Sequence, residues 1–214
     1  MLRVFDVTMN YDILDQKRKD ILPLLKAFKE DFYLAGGTGL ALQIGHRDST
    51  DFDFFSEKIF DTRELYLRVS EIFSGHEILK TQEEAGTLTV FLDDSIKISF
   101  FHYPYKLIGS LVYETDINFA SIEDIACMKL AAIVSRATNK DYIDLFFFLK
   151  NSPLSLLLEK MTQKLPGLDK NLVLKSLVYF KDIIIEPIRF VPGNEIEFEA
   201  VKRNLEEQVK KIAQ

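Results

Sequence analysis

Cysteine is almost missing from this chain: Cys127 is the one thiol in 214 residues, which excludes an internal disulfide and any zinc cluster built on thiolates. It falls within an apolar helical pattern, where a small buried thiol is the usual occupant. Tryptophan is absent, and the aromatic mass is dominated by 18 phenylalanines, which are core material more than chemistry. No run reaches the ~18 apolar residues that a membrane-spanning helix requires. The opening Met1-Leu-Arg-Val-Phe-Asp-Val7 lacks a signal peptide's long apolar region. These absences predict a cytoplasmic protein in a reducing compartment, with no membrane partner. Positive charge is also short, 27 Lys and Arg against 33 Asp and Glu for a net charge of −6. A general DNA binder needs a broad cationic face, so none is expected, and any contact with nucleic acid must come from a local basic patch.

What is present describes a globular chain, 47% hydrophobic and 28% charged, with ample apolar mass for a core. Its most informative stretch runs from Tyr33 to Phe55. Gly36-Gly37-Thr38 follows the short apolar run Phe32-Tyr33-Leu34-Ala35 and precedes Leu40-Ala41-Leu42-Gln43-Ile44, a strand, tight turn and helix start. Two residues without Cβ let backbone N–H groups approach an anion closely, and Thr38 is placed to cap the helix. Arg47, just past the expected helix end, offers a planar fork for phosphate oxygens. The alternation of Asp51-Phe52-Asp53-Phe54 then reads as a strand with two carboxylates on one face, roughly 6.5 to 7 Å apart at Cα, a spacing from which both can reach one Mg²⁺. Taken singly, the glycines suit an ordinary turn and the aspartates the wet face of an edge strand.

Elsewhere the pattern is mostly architectural. Residues 12–30 and 61–73 read as amphipathic helices, with Pro23 opening the second half of the first. Three β-prone runs, 77–81, 87–92 and 95–103, predict an antiparallel meander with Asp93 and Asp94 in a turn. Ser121 with Asp124 marks a helix start in the manner of a capping box. Along that helix Lys129, Ala132, Ile133 and Arg136 share a face, and Asp141 and Asp144 share a face of the next. The chain beyond 150 reads as helical, with segments near 153–161 and 169–182 and a charged helix from about 195.

Gly-Gly-Thr, a helix, then Gly45-His46-Arg47-x-Ser49-x-Asp51-x-Asp53 resembles the first motif of the AbiEii/AbiGii-type toxins, nucleotidyltransferases with the DNA polymerase β fold. Lys129-Leu130-x-Ala132-x-x-x-Arg136 followed by Asp141-x-x-Asp144-Leu145 is similar to the closing motif of the same family, with Lys140 in place of its usual Arg. The two motifs stand in the family's order. The resemblance implies an α+β fold, with a nucleotidyltransferase core over residues 1–111 and a helical region over 112–214. It implies an NTP substrate, Mg²⁺, an RNA or protein acceptor, and a cognate antitoxin. The residues to which it assigns catalysis are Asp51, Asp53, Lys129 and Asp141, with Asp51 and Asp53 holding the metal. Gly36, Gly37, Thr38, Arg47, Ser49 and Arg136 are assigned to the nucleotide.

One departure stands out. The family fold draws a third metal-binding carboxylate from a later strand, and here Lys97 or Ser99 occupies that place. A catalytically weakened nucleotide-binding or regulatory protein is therefore the alternative to an active enzyme. If the enzyme is active, Asp141 is expected to complete the charged site, with Asp144 fixing Arg136 or a backbone group. Lys129 is expected to reach into the cleft, where its loss costs activity and little stability.

Overall fold

The computed structural model describes residues 8–213; the signal-peptide reading of the opening heptapeptide lies outside them. A mixed sheet forms the centre, in the order β3-β4-β5-β2-β1-β7-β6. Its strands are β1 (Tyr33–Leu34), β2 (Phe52–Ser56), β3 (Ile78–Glu84), β4 (Thr87–Leu92), β5 (Ile96–His102), β6 (Val112–Tyr113) and β7 (Asn118–Phe119). β3, β4 and β5 make the expected antiparallel meander. β5 then pairs in parallel with β2, setting Asp53 beside Ser99, and β1 runs antiparallel to β2. Asp93 and Asp94 occupy the β4–β5 turn with φ of 48° and 54°.

Helices cover both faces. The helices of the first half are α1 (Gln16–Leu25), α2 (Gly36–Ile44) and α3 (Thr62–Ile72); those of the second are α4 (Ile122–Ser135), α5 (Asn139–Leu149), α6 (Leu154–Lys164), α7 (Lys170–Leu177) and α8 (Phe198–Ala213). One core packs Ile21 and Leu25 of α1 and Leu65 and Val69 of α3 against Phe52, Phe54 and Phe100 of the strands. The other gathers Leu130, Tyr142, Leu145, Leu157, Met161, Val173 and Leu205 from the helices of the second half. Leu40 of α2 faces this helical core while Ala41 and Leu42 face the sheet core. α2 is therefore buried on nearly all sides, as its lack of charge requires. Among the described residues no helix is long and apolar enough to cross a membrane.

Three boundaries differ from expectation. The sheet extends past residue 112 through β6 and β7, with Leu34 of β1 paired to Phe119 in parallel, so the helical region begins at Ile122 of α4. Strands of two residues carry no period for a sequence pattern to reveal. α1 ends at Leu25 and Pro23 lies inside its last turn, and α7 stops at Leu177. Ser121 caps α4 as predicted, its Oγ accepting the Asp124 N–H at 3.0 Å. The Asp124 carboxylate in turn accepts the Ile108 and Gly109 N–H groups and the Lys164 ammonium, at 3.0, 2.9 and 2.7 Å. That buried ion pair pins α6 and the 105–110 segment to α4.

Candidate active site

α2 begins directly after β1, with Ala35 bonded to the Asp53 carbonyl at 3.0 Å. Gly36 has φ +64°, and a Cβ there would stand 2.9 Å from Asp53 Oδ2. At Gly37 a Cβ would meet Arg47 Nη2 at 2.8 Å and Ser49 Oγ at 3.2 Å. Both positions need glycine because polar side chains come to contact distance of the backbone, and Gly36 also because its φ disfavours L side chains. The helical ladder starts with Gly39 N–H to the Ala35 carbonyl at 2.9 Å, leaving the N–H groups of residues 36–38 ahead of it, where an anion is favoured.

Thr38 does not cap α2. Its Oγ1 lies 2.5 Å from the Asp51 carbonyl and 2.8 Å from Ser49 Oγ. A carbonyl only accepts and a hydroxyl has one proton, so Thr38 donates to Asp51 and Ser49 donates to Thr38. These bonds tie the glycine turn to the start of the carboxylate strand.

Asp53 sits within β2 and Asp51 just before it, on the face opposite Phe52 and Phe54, which are fully buried. Asp51 is half exposed, and Lys97 Nζ stands 4.0 Å from its Oδ2. No described residue donates a hydrogen bond to the Asp53 carboxylate. Burial raises its pKa, Asp51 adds to that, and Lys97 opposes it. Ser99, at the level of Asp53 on β5, is fully buried with its Oγ 3.4 Å from Thr89 Oγ1. Among the described residues no three acidic, histidine or cysteine side chains are grouped to hold one ion.

The second motif forms a buried ionic network behind this pair. Asp144, fully buried, accepts from His46 Nε2 and Arg47 Nε at 2.7 Å each and from Arg47 Nη2 at 2.9 Å. Lys129 Nζ completes the set at 2.6 Å. Burial alone would raise the Asp144 pKa, but Lys129, Arg47 and the His46 hydrogen bond hold it well below the usual carboxylate range. Asp141 accepts from Lys129 at 2.8 Å, from Thr138 at 2.9 Å, and from Arg136 Nε and Nη2 at 3.2 and 3.3 Å. Its pKa is lowered too, because Lys129 and Arg136 outweigh the effect of burial.

This network revises several expectations. Asp141 borders the cleft, and both its oxygens accept from cations and a hydroxyl of the protein. Asp144 holds Arg47, His46 and Lys129, while Arg136 belongs to Asp141. Lys129 borders the cleft, but its side chain is buried and its ammonium is paired with both Asp141 and Asp144. Arg47 is buried as well, with Nε and Nη2 on Asp144 and Nη1 on the Asp48 carbonyl at 2.8 Å. Its fork grips a carboxylate of the protein and braces the glycine turn through Gly37.

The two motifs border one cleft of about 1170 Å³. Along the paired strands β2 and β5 its lining passes from a polar part, with Gly36, Gly37, Asp51, Asp53 and Lys97, to an aromatic floor of Phe55, Phe101, Tyr103 and Tyr105, and Met128 and Leu168 line it as well. Ring centroids lie 5.2 Å apart for Phe55 and Phe101 and 4.9 Å for Tyr103 and Tyr105. This floor was not foreseen, although Phe55 continues the strand's alternation two residues past Asp53. The rim formed by residues 184–191 was also missed. Asp48 N–H bonds the Arg189 carbonyl at 2.8 Å, and Asn139 exchanges two 2.9 Å bonds with the Glu186 backbone. The rim thereby links the two motif loops, in a segment with no periodic signal.

Fold and site together define a nucleotidyltransferase. Residues 24–212 match the sequence model of the family described as "Nucleotidyl transferase AbiEii toxin, Type IV TA system", and the chain belongs to that family. It is 40% identical over 158 residues to an uncharacterized protein of Aquifex aeolicus (strain VF5), covering 71% of this chain and 75% of that protein. Among solved structures it is similar to MenT4, a nucleotidyltransferase toxin from Mycobacterium tuberculosis, with a TM-score of 0.58 and 17% identity over 91% of this chain and 82% of that one. JHP933 from Helicobacter pylori matches with a TM-score of 0.54 and 16% identity, over 96% of this chain and 93% of its own. At such identities the likeness to the solved structures is one of fold.

Proposed function

We propose that this toxin-family nucleotidyltransferase moves a nucleotide from an NTP to an RNA or protein acceptor, with Mg²⁺ held by Asp51 and Asp53. The observation that carries the reading is the cleft's polarity: a carboxylate pair and glycine turn in one part, a floor of aromatic rings in the other. Phosphates suit the first and a flat base the second. Asp53 supports a cation in particular, because its carboxylate is partly buried and accepts no hydrogen bond from a described residue, a state that a dication would relieve. Its oxygens and those of Asp51 are the hard donors that Mg²⁺ prefers. A bound ion would neutralise charge on the phosphates.

The protein's own part is positioning. Gly36 and Gly37 admit the phosphates to the start of α2, Thr38 and Ser49 keep that turn in register with Asp51, and the Asp144 network braces Arg47 behind it. Arg136, with its side chain 62% exposed, extends past Asp141 as a cation for the substrate. In the transfer, an acceptor hydroxyl oxygen bonds to the α-phosphorus. The bond from that phosphorus to the α–β bridging oxygen breaks, pyrophosphate leaves with the electron pair, and the hydroxyl proton passes to solvent. As a toxin of this family the protein is expected to be held in check by a cognate antitoxin.

The test is incubation with each α-labelled NTP, Mg²⁺, and total cellular RNA and protein. Label reaching an acceptor, and lost in Asp53→Asn, supports the reading. Ser99 favours one rival, a nucleotide-binding protein without turnover; it predicts thermal stabilisation by NTP and Mg²⁺ with no label transferred.

A further inference from the structure

Five carboxylates border the cleft: Asp48, Asp51, Asp53, Asp141 and Glu186. Three are committed to protein cations. Asp48 pairs with Arg189 at 3.3 Å, Glu186 with Lys140 at 2.7 Å, and Asp141 with Lys129 and Arg136 at 2.8 and 3.2 Å. Only Asp51 and Asp53 remain for metal among the described residues. A two-metal site places its ions ~3.5 to 4 Å apart, and two dications that close need carboxylates both between and outside them. The neighbouring strand β5 supplies none, since Ser99 stands level with Asp53. On the cleft face of the same strand, Lys97 brings its ammonium to 4.0 Å from Asp51 Oδ2. A positive charge thus stands at the edge of the pair, and it would repel a second dication there.

We propose that the site takes one divalent ion together with the nucleotide, and that the ammonium of Lys97 supplies, toward the phosphates, the positive charge that a second ion provides in a two-metal site. This inference rests on the metal-nucleotide reading above. It makes Lys97 a substrate-facing cation, a role that neither motif assigns.

The experiment counts ions. The protein is equilibrated with Mn²⁺ and the α,β-methylene analogues of ATP, GTP, CTP and UTP in turn, and bound metal and nucleotide are measured per chain by ultrafiltration and electron paramagnetic resonance. One Mn²⁺ per bound nucleotide is expected. Two would overturn the inference and leave the nucleotidyltransferase reading standing, whereas no binding of either metal or nucleotide would sink both. Lys97→Glu puts a third carboxylate beside Asp51, and the count should rise to two; a count that stays at one overturns the place given to Lys97. Lys97→Ala should keep one ion and bind the analogue about tenfold more weakly, and unchanged affinity would overturn its contact with phosphate. The Lys97 side chain is 37% exposed, so these variants should keep the wild-type fold, which a melting curve verifies.

Discussion

Replacing Asp144 by asparagine tests whether the closing motif acts mainly by holding the molecule together. The carboxylate accepts four bonds of 2.6 to 2.9 Å from His46, Arg47 and Lys129. Asparagine keeps the volume but turns one oxygen into an N–H₂ group that faces donors, and leaves Arg47 and Lys129 short of counter-charge inside the protein. Breaking a buried pair in this way costs about 3 to 5 kcal/mol. At ~2 to 4 °C per kcal/mol for a chain of this size, the midpoint should fall by roughly 6 to 20 °C near neutral pH. The pH dependence carries a sign. Asp144 and Asp141 both have folded-state pKa values below the ordinary carboxylate value, so their stabilisation is present above the unfolded value of ~3.9 and is lost as pH falls through the lower folded value. The gap between wild type and Asp144→Asn should therefore narrow below about pH 4. Melting curves from pH 7 to pH 3 measure both effects. A midpoint within about 2 °C of wild type at pH 7, with transfer abolished, would refute the structural role and return Asp144 to the chemistry.

Other outcomes follow from the same geometry. Asp51→Asn and Asp53→Asn should each cut metal-dependent transfer at least 100-fold in a labelled-NTP assay. Asp53→Asn should melt no lower than wild type at pH 7, because it removes a carboxylate whose ionised form burial penalises above its unfolded pKa; a melting point well below wild type would contradict that. Gly36→Ala should destabilise by about 1 to 3 kcal/mol through its positive φ and displace Asp53, seen as weaker Mn²⁺ binding, and unchanged binding would argue against the close approach. Lys129→Met should lower the midpoint by roughly 6 to 12 °C, for a loss of about 3 kcal/mol, as differential scanning calorimetry can check. A mutant that keeps its midpoint while losing turnover would make Lys129 a group of the reaction and not of the fold.

The carboxylate pair was legible in the sequence because strand alternation is local: Asp51 and Asp53 share a face whatever the rest of the chain does. The α4 cap, the meander and the glycine turn were legible for the same reason, since each rests on residues a few positions apart. The family itself was legible in the spacing of its motifs. The meaning of the charged residues was settled by distant partners. Arg47, Lys129 and Asp144 look like active-site groups in sequence, yet Asp144 lies 97 residues from Arg47 and bonds it inside the protein. Whether a cation faces phosphate or an internal carboxylate depends on which helices pack together, and no local period encodes that. The parallel pairing of β2 with β5 is equally non-local, and it sets Ser99 and Lys97 beside the aspartates. The aromatic floor likewise exists only because Phe55 and Phe101 meet across that pairing. Local periodicity determined which groups could do chemistry, while tertiary packing decided which of them are left free to do it.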